Sequence, residues 1–376
     1  MKKTDRKTRK LIVQCATCLV FVAFVFVMTI LNLFWPKSDF SENENRALSP
    51  GVDASAANIF FGDFDTEFET WFSDHFMLRD RWIEIKSSVR KDLGAIENNG
   101  VYLAHDGRLI QQFLSYDEKT VENNISYLQE FSEENDVKLN VMLVPGAAYG
   151  EAGYLPIGAA NVDERALIRQ INGKLSDQNC IDLTEVLGTK EQSWFRTDHH
   201  WNEKGALSAY GAICRKVLDK EPQAFNLTKV ADDFKGTMYS KSGAFWTKGD
   251  PIYRMDPKDP LTVKVTYDNG TESDSMFMDK NLEIKDKYTY YLDGNHAHVH
   301  ISTSAETGRK AIIIKDSYSH ILIPYLASEY SELEIFDLRY YHDQVSTWLT
   351  DKENTDVYVI YGIETFAADS NLSILW

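Results

Sequence analysis

The 376-residue chain is acidic, with a formal net charge of −17, and 43% of its residues are hydrophobic. That length holds one large domain or two modest ones, and that apolar content excludes global disorder. The acidity excludes nucleic-acid binding through backbone charge, which needs a surplus of bases.

Residues 1–10 carry Lys2, Lys3, Arg6, Lys7, Arg9 and Lys10 against the single acid Asp5, and residues 11–34 carry no charged side chain. An apolar run of that length spans a bilayer with some tilt. The positive-inside rule makes 1–10 a cytoplasmic basic tail, 11–34 a transmembrane anchor and the rest extracytoplasmic. A cleavable signal peptide would have a shorter apolar core ending in small residues. Here Phe24, Phe26, Met28, Leu31, Leu33 and Phe34 carry the run to Trp35-Pro36, which predicts an uncleaved anchor. With six bases against one acid in the tail and none in the anchor, residues 35–376 hold a net charge of −22. Such a domain is ill-suited to lying on anionic lipid and fits a neutral or locally steered substrate, although acidity also simply keeps a domain soluble.

Four cysteines are too few for a disulfide scaffold. Cys15 and Cys18 lie inside the apolar run, so their Cys-x-x-Cys spacing has no redox reading, and Cys180 and Cys214 could pair but read first as buried free thiols. Residues 35–55 are polar and non-periodic and predict a linker off the membrane. The exterior domain then runs over 56–376. Its opening stretch, Asp63 to Lys91, places Phe64, Phe68, Trp71, Phe72 and Phe76 at helical spacing, which predicts a core-facing helix.

From Val101 onward strand and helix patterns alternate. Val137–Val144 reads as a buried strand, Asp163–Ser176 as a helix, Cys180–Leu183 as a short strand and Asn202–Leu218 as a helix. Ala311–Lys315 reads as a β-branched buried strand and Ile321–Tyr330 as a helix with Pro324 in its first turn. Glu334–Asp337 and Asp356–Tyr361 read as strands. The alternation predicts an α/β fold with a mostly parallel sheet covered on both faces. Residues 220–300 break the rhythm, with paired strand-like runs around the turn signal Asp268-Asn269-Gly270, and predict an inserted lobe flanking the cleft.

Chemistry concentrates in two places: Thr197-Asp198-His199-His200-Trp201-Asn202, and Lys315-Asp316-Ser317-Tyr318. Acyl transfer by serine needs a hydroxyl that attacks, an imidazole that takes its proton, and a carboxylate that orients the imidazole. Ser317 follows a buried strand, where open α/β folds put their sites. Taken singly, each feature also reads as a helix cap or a packed histidine. Together they supply nucleophile, base and orienting acid. His296, His298 and His300 alternate on one side of a strand, but no adjacent acid or Cys in the sequence completes a metal set.

The stretch Asp198-His199-His200-Trp201 resembles the signature of the DHHW family of exported bacterial proteins. More broadly, with a later Ser, the chain resembles the alginate O-acetylation proteins AlgX and AlgJ. Asn43-Glu44-Asn45-Arg46, Phe76-Met77-Leu78-Arg79-Asp80 and Asp337-Leu338-Arg339-Tyr340 are further points of likeness. The resemblance implies an SGNH-hydrolase-like three-layer fold and polysaccharide O-acetylation, with Asp198 as orienting acid, His200 as base and Ser317 as nucleophile. The order Asp, His, Ser departs from ordinary SGNH hydrolases, which place Ser first, and matches the alginate-type branch. His199 competes with His200, and His200 is preferred because it precedes Trp201. Gly294-Asn295-His296 resembles the Asn-bearing block of SGNH enzymes, which makes Asn295 a candidate oxyanion donor, with a loop Asn beside a turn Gly as the plainer reading. Arg339 and Tyr340 are candidates for binding sugar hydroxyls or an acyl donor, and Trp201 for stacking on a sugar or walling the site. No metal or cofactor is expected. The expected partners are the polysaccharide, the membrane, and a multi-pass membrane acyltransferase that supplies acetyl. A carbohydrate acetyl-esterase and a non-catalytic glycan-binding scaffold subunit are the alternative functions.

Overall fold

The computed structural model describes residues 2–187 and 192–375. The chain divides into two units, Met1–Lys86 and Ser87–Trp376.

In the first unit, α1 (Lys2–Phe34) is one continuous helix. Its stretch Thr8–Phe34 is long and apolar enough to cross a membrane, and that apolar window has no protein cover. A helix satisfies its own backbone polar groups, which is what hydrocarbon demands of a spanning segment. Near its end, Asn32 is buried and its Oδ1 accepts the Met77 N–H at 2.8 Å. The strand pair β1 (Phe40–Ser41) and β2 (Arg46–Ala47) follows, then α2 (Ala56–Phe61) and α3 (Phe64–Asp74). Residues 40–47, inside the stretch 35–55 read as a linker, therefore form a paired turn. Arg46 pairs with buried Asp74 at 2.5 Å, Arg79 with Glu44 at 3.0 Å, and Asn43 donates to Asp80 at 2.6 Å. The two N-terminal sequence landmarks thus hold each other. The aromatic stripe of α3 does not face a core. Phe68 and Phe72 stay about half exposed and stack on one another at 6.0 Å, because this small unit offers few apolar partners.

The helix α4 (Arg79–Asp92) crosses the division. Beyond it, β3 (Glu97–Asn98), β4 (Val101–Leu103) and β5 (Leu109–Gln111) form a small antiparallel sheet. The chain continues through α5 (Glu118–Asn135), β6 (Leu139–Val144), α6 (Ala147–Gly150), α7 (Glu164–Lys174), β7 (Asn179–Cys180) and α8 (Glu203–Lys216). After β8 (Phe225–Phe234) come α9 (Thr237–Ser242), β9 (Asp250–Pro257), β10 (Val263–Tyr267), β11 (Glu272–Ser273) and β12 (His298–Thr303). The last stretch holds β13 (Lys310–Lys315), α10 (Ile323–Leu326), β14 (Glu332–Phe336), β15 (Thr355–Gly362) and α11 (Ile363–Phe366).

Eight strands form one mixed sheet in the order β11-β10-β12-β14-β13-β15-β6-β7. The five from β14 to β7 run parallel, and β12, β10 and β11 add antiparallel edge strands. Apolar side chains alternate to both faces of β13. Ala311 and Ile313 join a core with α8 and α10, through Ala206, Ala209, Ile323 and Leu326. Ile312 and Ile314 join a second core with α5 and α7, through Ile125, Leu128, Leu167 and Ile168. A continuous apolar strand is what a sheet covered on both faces requires. The result is a three-layer α/β fold.

Counting the parallel strands from the serine-bearing β13, their spatial order is 2-1-3-4-5, a common doubly wound arrangement. Here the strands that come last in that count, β6 and β7, come first in the chain. The order Asp, His, Ser follows from where this chain enters an ordinary sheet.

Two expectations shift. Within 220–300, read as one inserted lobe, Phe225–Pro257 forms a separate hairpin, but β10, β11 and β12 extend the main sheet. Their alternating patterns match an antiparallel edge and gave no cue to the parallel strand they join. Residues 321–330 are a single α-turn, α10, between two 3-10 turns, with Pro324 in its first turn.

Candidate active site

Ser317 begins a 3-10 turn at the carboxyl end of β13. Asp316 caps that turn by accepting the Tyr318 N–H at 3.0 Å, and its other oxygen accepts the Gly362 N–H from the end of β15 at 2.9 Å. Gly362 is required here, since a Cβ would lie 2.7 Å from the Tyr318 ring. The turn thus sits where neighbouring parallel strands diverge, the crevice in which such sheets bind ligands.

The stretch 195–201 forms a closed loop, with Trp194 bridging to Trp201 and Phe195 N–H donating to the His200 carbonyl. Asp250 on β9 ties it down by accepting from the N–H of Arg196 and Thr197 and from the Thr197 hydroxyl, at 2.7, 2.9 and 2.6 Å. Asn202 then caps α8 by accepting from Lys204 and Gly205.

These two loops bring Asp198, His200 and Ser317 together. His200 Nε2 lies 2.8 Å from Ser317 Oγ, and His200 Nδ1 lies 2.5 Å from Asp198 Oδ1. Asp198 Oδ1 also accepts the His200 N–H at 3.0 Å. Its Oδ2 accepts the N–H and hydroxyl of Thr237 at 2.7 and 2.9 Å. Both carboxylate oxygens are therefore committed. Burial alone would raise the Asp198 pKa. The adjacent His199 and His200 and the donors outweigh it and hold the group well below the usual carboxylate range. An ionised Asp198 fixes a proton on Nδ1 and leaves Nε2 to accept from Ser317. Gly236 makes room for this carboxylate, because a Cβ there would lie 2.2 Å from Asp198 Oδ2.

His199 takes a different place. Its Nδ1 meets Thr237 Oγ1 at 2.7 Å and Asp198 Oδ1 at 3.6 Å, and no hydrogen bond joins it to Ser317 among the described residues. Burial, then the neighbouring His200, lowers its pKa to about 4 although its ring edge reaches solvent, so it is neutral near pH 7.

Trp201 lies beside the serine turn but is fully buried, with its indole N–H donating to the Tyr318 carbonyl at 2.7 Å. It offers no open face to a sugar and supports the turn instead. Arg339, Asn295 and Tyr340 come together in a separate group. Arg339 donates to Asn295 Oδ1 at 3.3 Å and lies over the Tyr340 ring at 5.5 Å. No hydrogen bond links Asn295 to Ser317 or His200 among the described residues. Arg339 also grips buried Asp337 with a fork of 2.8 and 2.6 Å, and Asp337 accepts from buried Lys315 at 3.0 Å. Lys315 in turn donates to His320 Nε2 at 2.9 Å. Lys315, in the middle of this chain, stands one residue before Asp316.

Three buttressing residues gave no sequence signal. Thr237 holds the carboxylate, Asp250 holds the loop, and Tyr288 stacks on His200; each comes from the 220–300 stretch, far from the motif in sequence. The alternating histidines have an acid the sequence did not place: Glu334 on β14 lies 2.7 Å from His298 and 2.8 Å from His300, while His296 pairs with Asp268. Among the described residues, the group with metal-ligand spacing is Asp198, His199 and His200. The carboxylate and Nε2 atoms there are already engaged by Thr237, His200 and Ser317. Beside Tyr318 and His199 lies a small cleft of about 20 Å³, also lined by Gln111, Val144, Glu164 and Glu364. Burial pushes the Glu164 carboxyl up to about 7.

Residues 110–284 match the family model of the SGNH hydrolase-like domain of the acetyltransferase AlgX. The chain carries an SGNH hydrolase-like domain. The match takes in Asp198 and His200 and ends before Ser317. The solved structure of a DHHW family protein from Eubacterium siraeum DSM 15702 is similar over 75% of this chain and 96% of its own, with 25% identity and a TM-score of 0.65. PatB1 from Bacillus cereus, solved with a sulfonyl adduct, is similar over 73% of this chain and 98% of its own, with 21% identity and a TM-score of 0.61. The likeness to PatB1 is one of fold. No curated protein matches the chain.

Proposed function

We propose that the SGNH-like domain is a membrane-anchored, extracytoplasmic O-acetyltransferase acting on a cell-surface or secreted polysaccharide. The observation that carries this reading is the unbroken line from Asp198 through His200 to Ser317, at 2.5 and 2.8 Å, at the carboxyl end of the sheet. In the proposed reaction His200 Nε2 takes the Ser317 proton as Oγ attacks the acetyl carbonyl carbon. The leaving group departs with that proton, and an acetyl ester forms on Ser317. A sugar hydroxyl then gives its proton to His200 as its oxygen attacks the ester carbon, and His200 passes that proton to Ser317 Oγ as the ester bond breaks. Asp198 keeps the imidazole oriented and stabilises its charged form.

Arg339, Asn295 and Tyr340, side by side, are proposed to hold the acceptor. On this reading the apolar helix α1, preceded by its basic residues, anchors the domain outside the bacterial cytoplasmic membrane with the N-terminus inside. Acetyl-CoA is not at hand there, so a multi-pass membrane acyltransferase is the proposed donor. An acetyl-esterase shares every step but the last, where water replaces the sugar.

The test uses the full-length chain in detergent with p-nitrophenyl acetate, with and without an added polysaccharide. The expected result is acetyl recovered on the polymer, and loss of both transfer and hydrolysis in Ser317→Ala. Hydrolysis with no polymer acetylation would move the reading to the esterase. Equal rates in Ser317→Ala would move it to the glycan-binding scaffold.

A further inference from the structure

Tyr288 sits on a 3-10 turn, Lys287–Tyr290, and is buried. Its ring lies flat on the His200 imidazole, with centroids 3.9 Å apart and planes 9° apart. Its hydroxyl donates to the Ser317 carbonyl at 2.9 Å and reaches the Tyr318 carbonyl at 3.4 Å. One side chain thus touches both the base and the backbone of the nucleophile. A buried tyrosine needs an acceptor for its hydroxyl, and packing alone would account for that bond. Packing does not call for a near-parallel face on an imidazole that must become a cation.

We infer that Tyr288 is a positioning residue of the acyl transfer: it keeps the His200 ring in line with Ser317 Oγ and stabilises the imidazolium through its π face. The inference rests on the triad reading above. When Ser317 attacks, its O–H bond breaks, the proton moves to His200 Nε2, and the oxygen's electron pair forms the bond to the acyl carbon. His200 then carries a positive charge on a ring that is almost wholly buried. An aromatic face against a cation is favourable, and more so where water is excluded. Burial keeps the Tyr288 hydroxyl protonated far above the usual phenol range, so it remains a donor to the serine carbonyl at working pH.

Asp198 and His199 share the loop of His200, Tyr288 packs on its ring from the 3-10 turn and Tyr318 from the serine turn, and Asp286, Asp316 and His320 act on it through charge from beside those turns. A substitution that changes only the ring electrons of Tyr288 leaves all the others in place, so the pH at which the base titrates reports the stacking alone.

The experiment measures pH–rate profiles of the full-length chain with p-nitrophenyl acetate, for wild type, Tyr288→Phe, Tyr288→Leu and a series with fluorinated phenylalanines at 288. Tyr288→Phe should keep the acidic midpoint and lose up to about tenfold in kcat with the hydroxyl. Fluorination keeps the shape and withdraws ring electrons, so the midpoint should fall stepwise with fluorine count. Tyr288→Leu should fall furthest, by about one pH unit, with kcat lowered about a hundredfold and KM little changed. Identical midpoints across the fluorinated series would overturn the inference even if Tyr288→Leu fails to fold. Ser317→Ala run in parallel separates the two levels. If it is inactive and the midpoints do not move, Tyr288 is only packing and the triad stands; if it turns over like wild type, the triad reading falls and this one with it.

Discussion

Replacing Asp198 with Asn removes the charge while keeping the shape, and the structure states what must follow. The carboxylate accepts four hydrogen bonds: two from His200, at 3.0 and 2.5 Å, and two from Thr237, at 2.7 and 2.9 Å. An amide has one acceptor oxygen and one donor nitrogen. If the nitrogen faces Thr237, it meets a backbone N–H, and two donors oppose one another in a buried site. If it faces His200, it favours the tautomer with the proton on Nε2, which can no longer take the Ser317 proton. The first arrangement leaves unpaired donors beside Thr237, the second mis-sets the base, and both remove the charge that stabilises the imidazolium. The expected loss in kcat is about 10⁴-fold, the scale for a wrong histidine tautomer in a serine triad. In free energy that is about 5.5 kcal/mol of barrier. The assay is acetyl release from p-nitrophenyl acetate, with circular dichroism to show that the variant is folded. A folded Asp198→Asn that keeps more than a tenth of wild-type kcat would refute the reasoning.

Three further predictions follow from single contacts. Gly236→Ala should lower kcat about a hundredfold and also lower the melting temperature, because its Cβ would sit 2.2 Å from Asp198 Oδ2 and 2.3 Å from Asp198 Cβ and push the residue out of line; the check is kcat beside a thermal melt. Trp201→Phe should cost about 1–3 kcal/mol of stability by leaving the Tyr318 carbonyl short of its donor, measured by urea unfolding, with KM for a polysaccharide acceptor unchanged. Glu164→Gln should stabilise the protein at pH 8 more than at pH 5. Burial raises the folded pKa to about 7 from an ordinary 4.5, so the unfolded chain releases this proton first. The stability tied to the neutral acid is complete below about pH 4.5 and is lost as pH rises through 7, and the difference in melting temperature between the two pH values reads it directly.

The parts of this molecule that were legible in its sequence are those governed by local rules. The run Ala311-Ile312-Ile313-Ile314 reads as a strand buried on both faces, because β-branched apolar residues without alternation suit nothing else of that length. Asn202 before an apolar-periodic stretch marks the start of α8 by capping chemistry. The stretch Asp198-His199-His200 and the distant Ser317 are legible as reacting types, but not as neighbours, since 117 residues separate His200 from Ser317. What the sequence hides is whatever depends on tertiary approach. Thr237 and Tyr288 carry no motif, and only the fold lays them against Asp198 and His200. Trp201, offered by the sequence as a sugar platform, is drawn inward by its indole bond to the serine turn. The aromatic stripe of α3 has the spacing of a core helix and lacks a core to enter. The acid that faces His298 and His300 comes from a strand 34 residues beyond His300.

The most direct measurement is mass spectrometry of the full-length chain quenched in acid within the first turnovers on p-nitrophenyl acetate. A single acetyl group on the Ser317 peptide, absent in Ser317→Ala and slow to form in His200→Ala, is the predicted result. Acetyl found on another residue, or none on Ser317 while wild type turns over, would contradict the account.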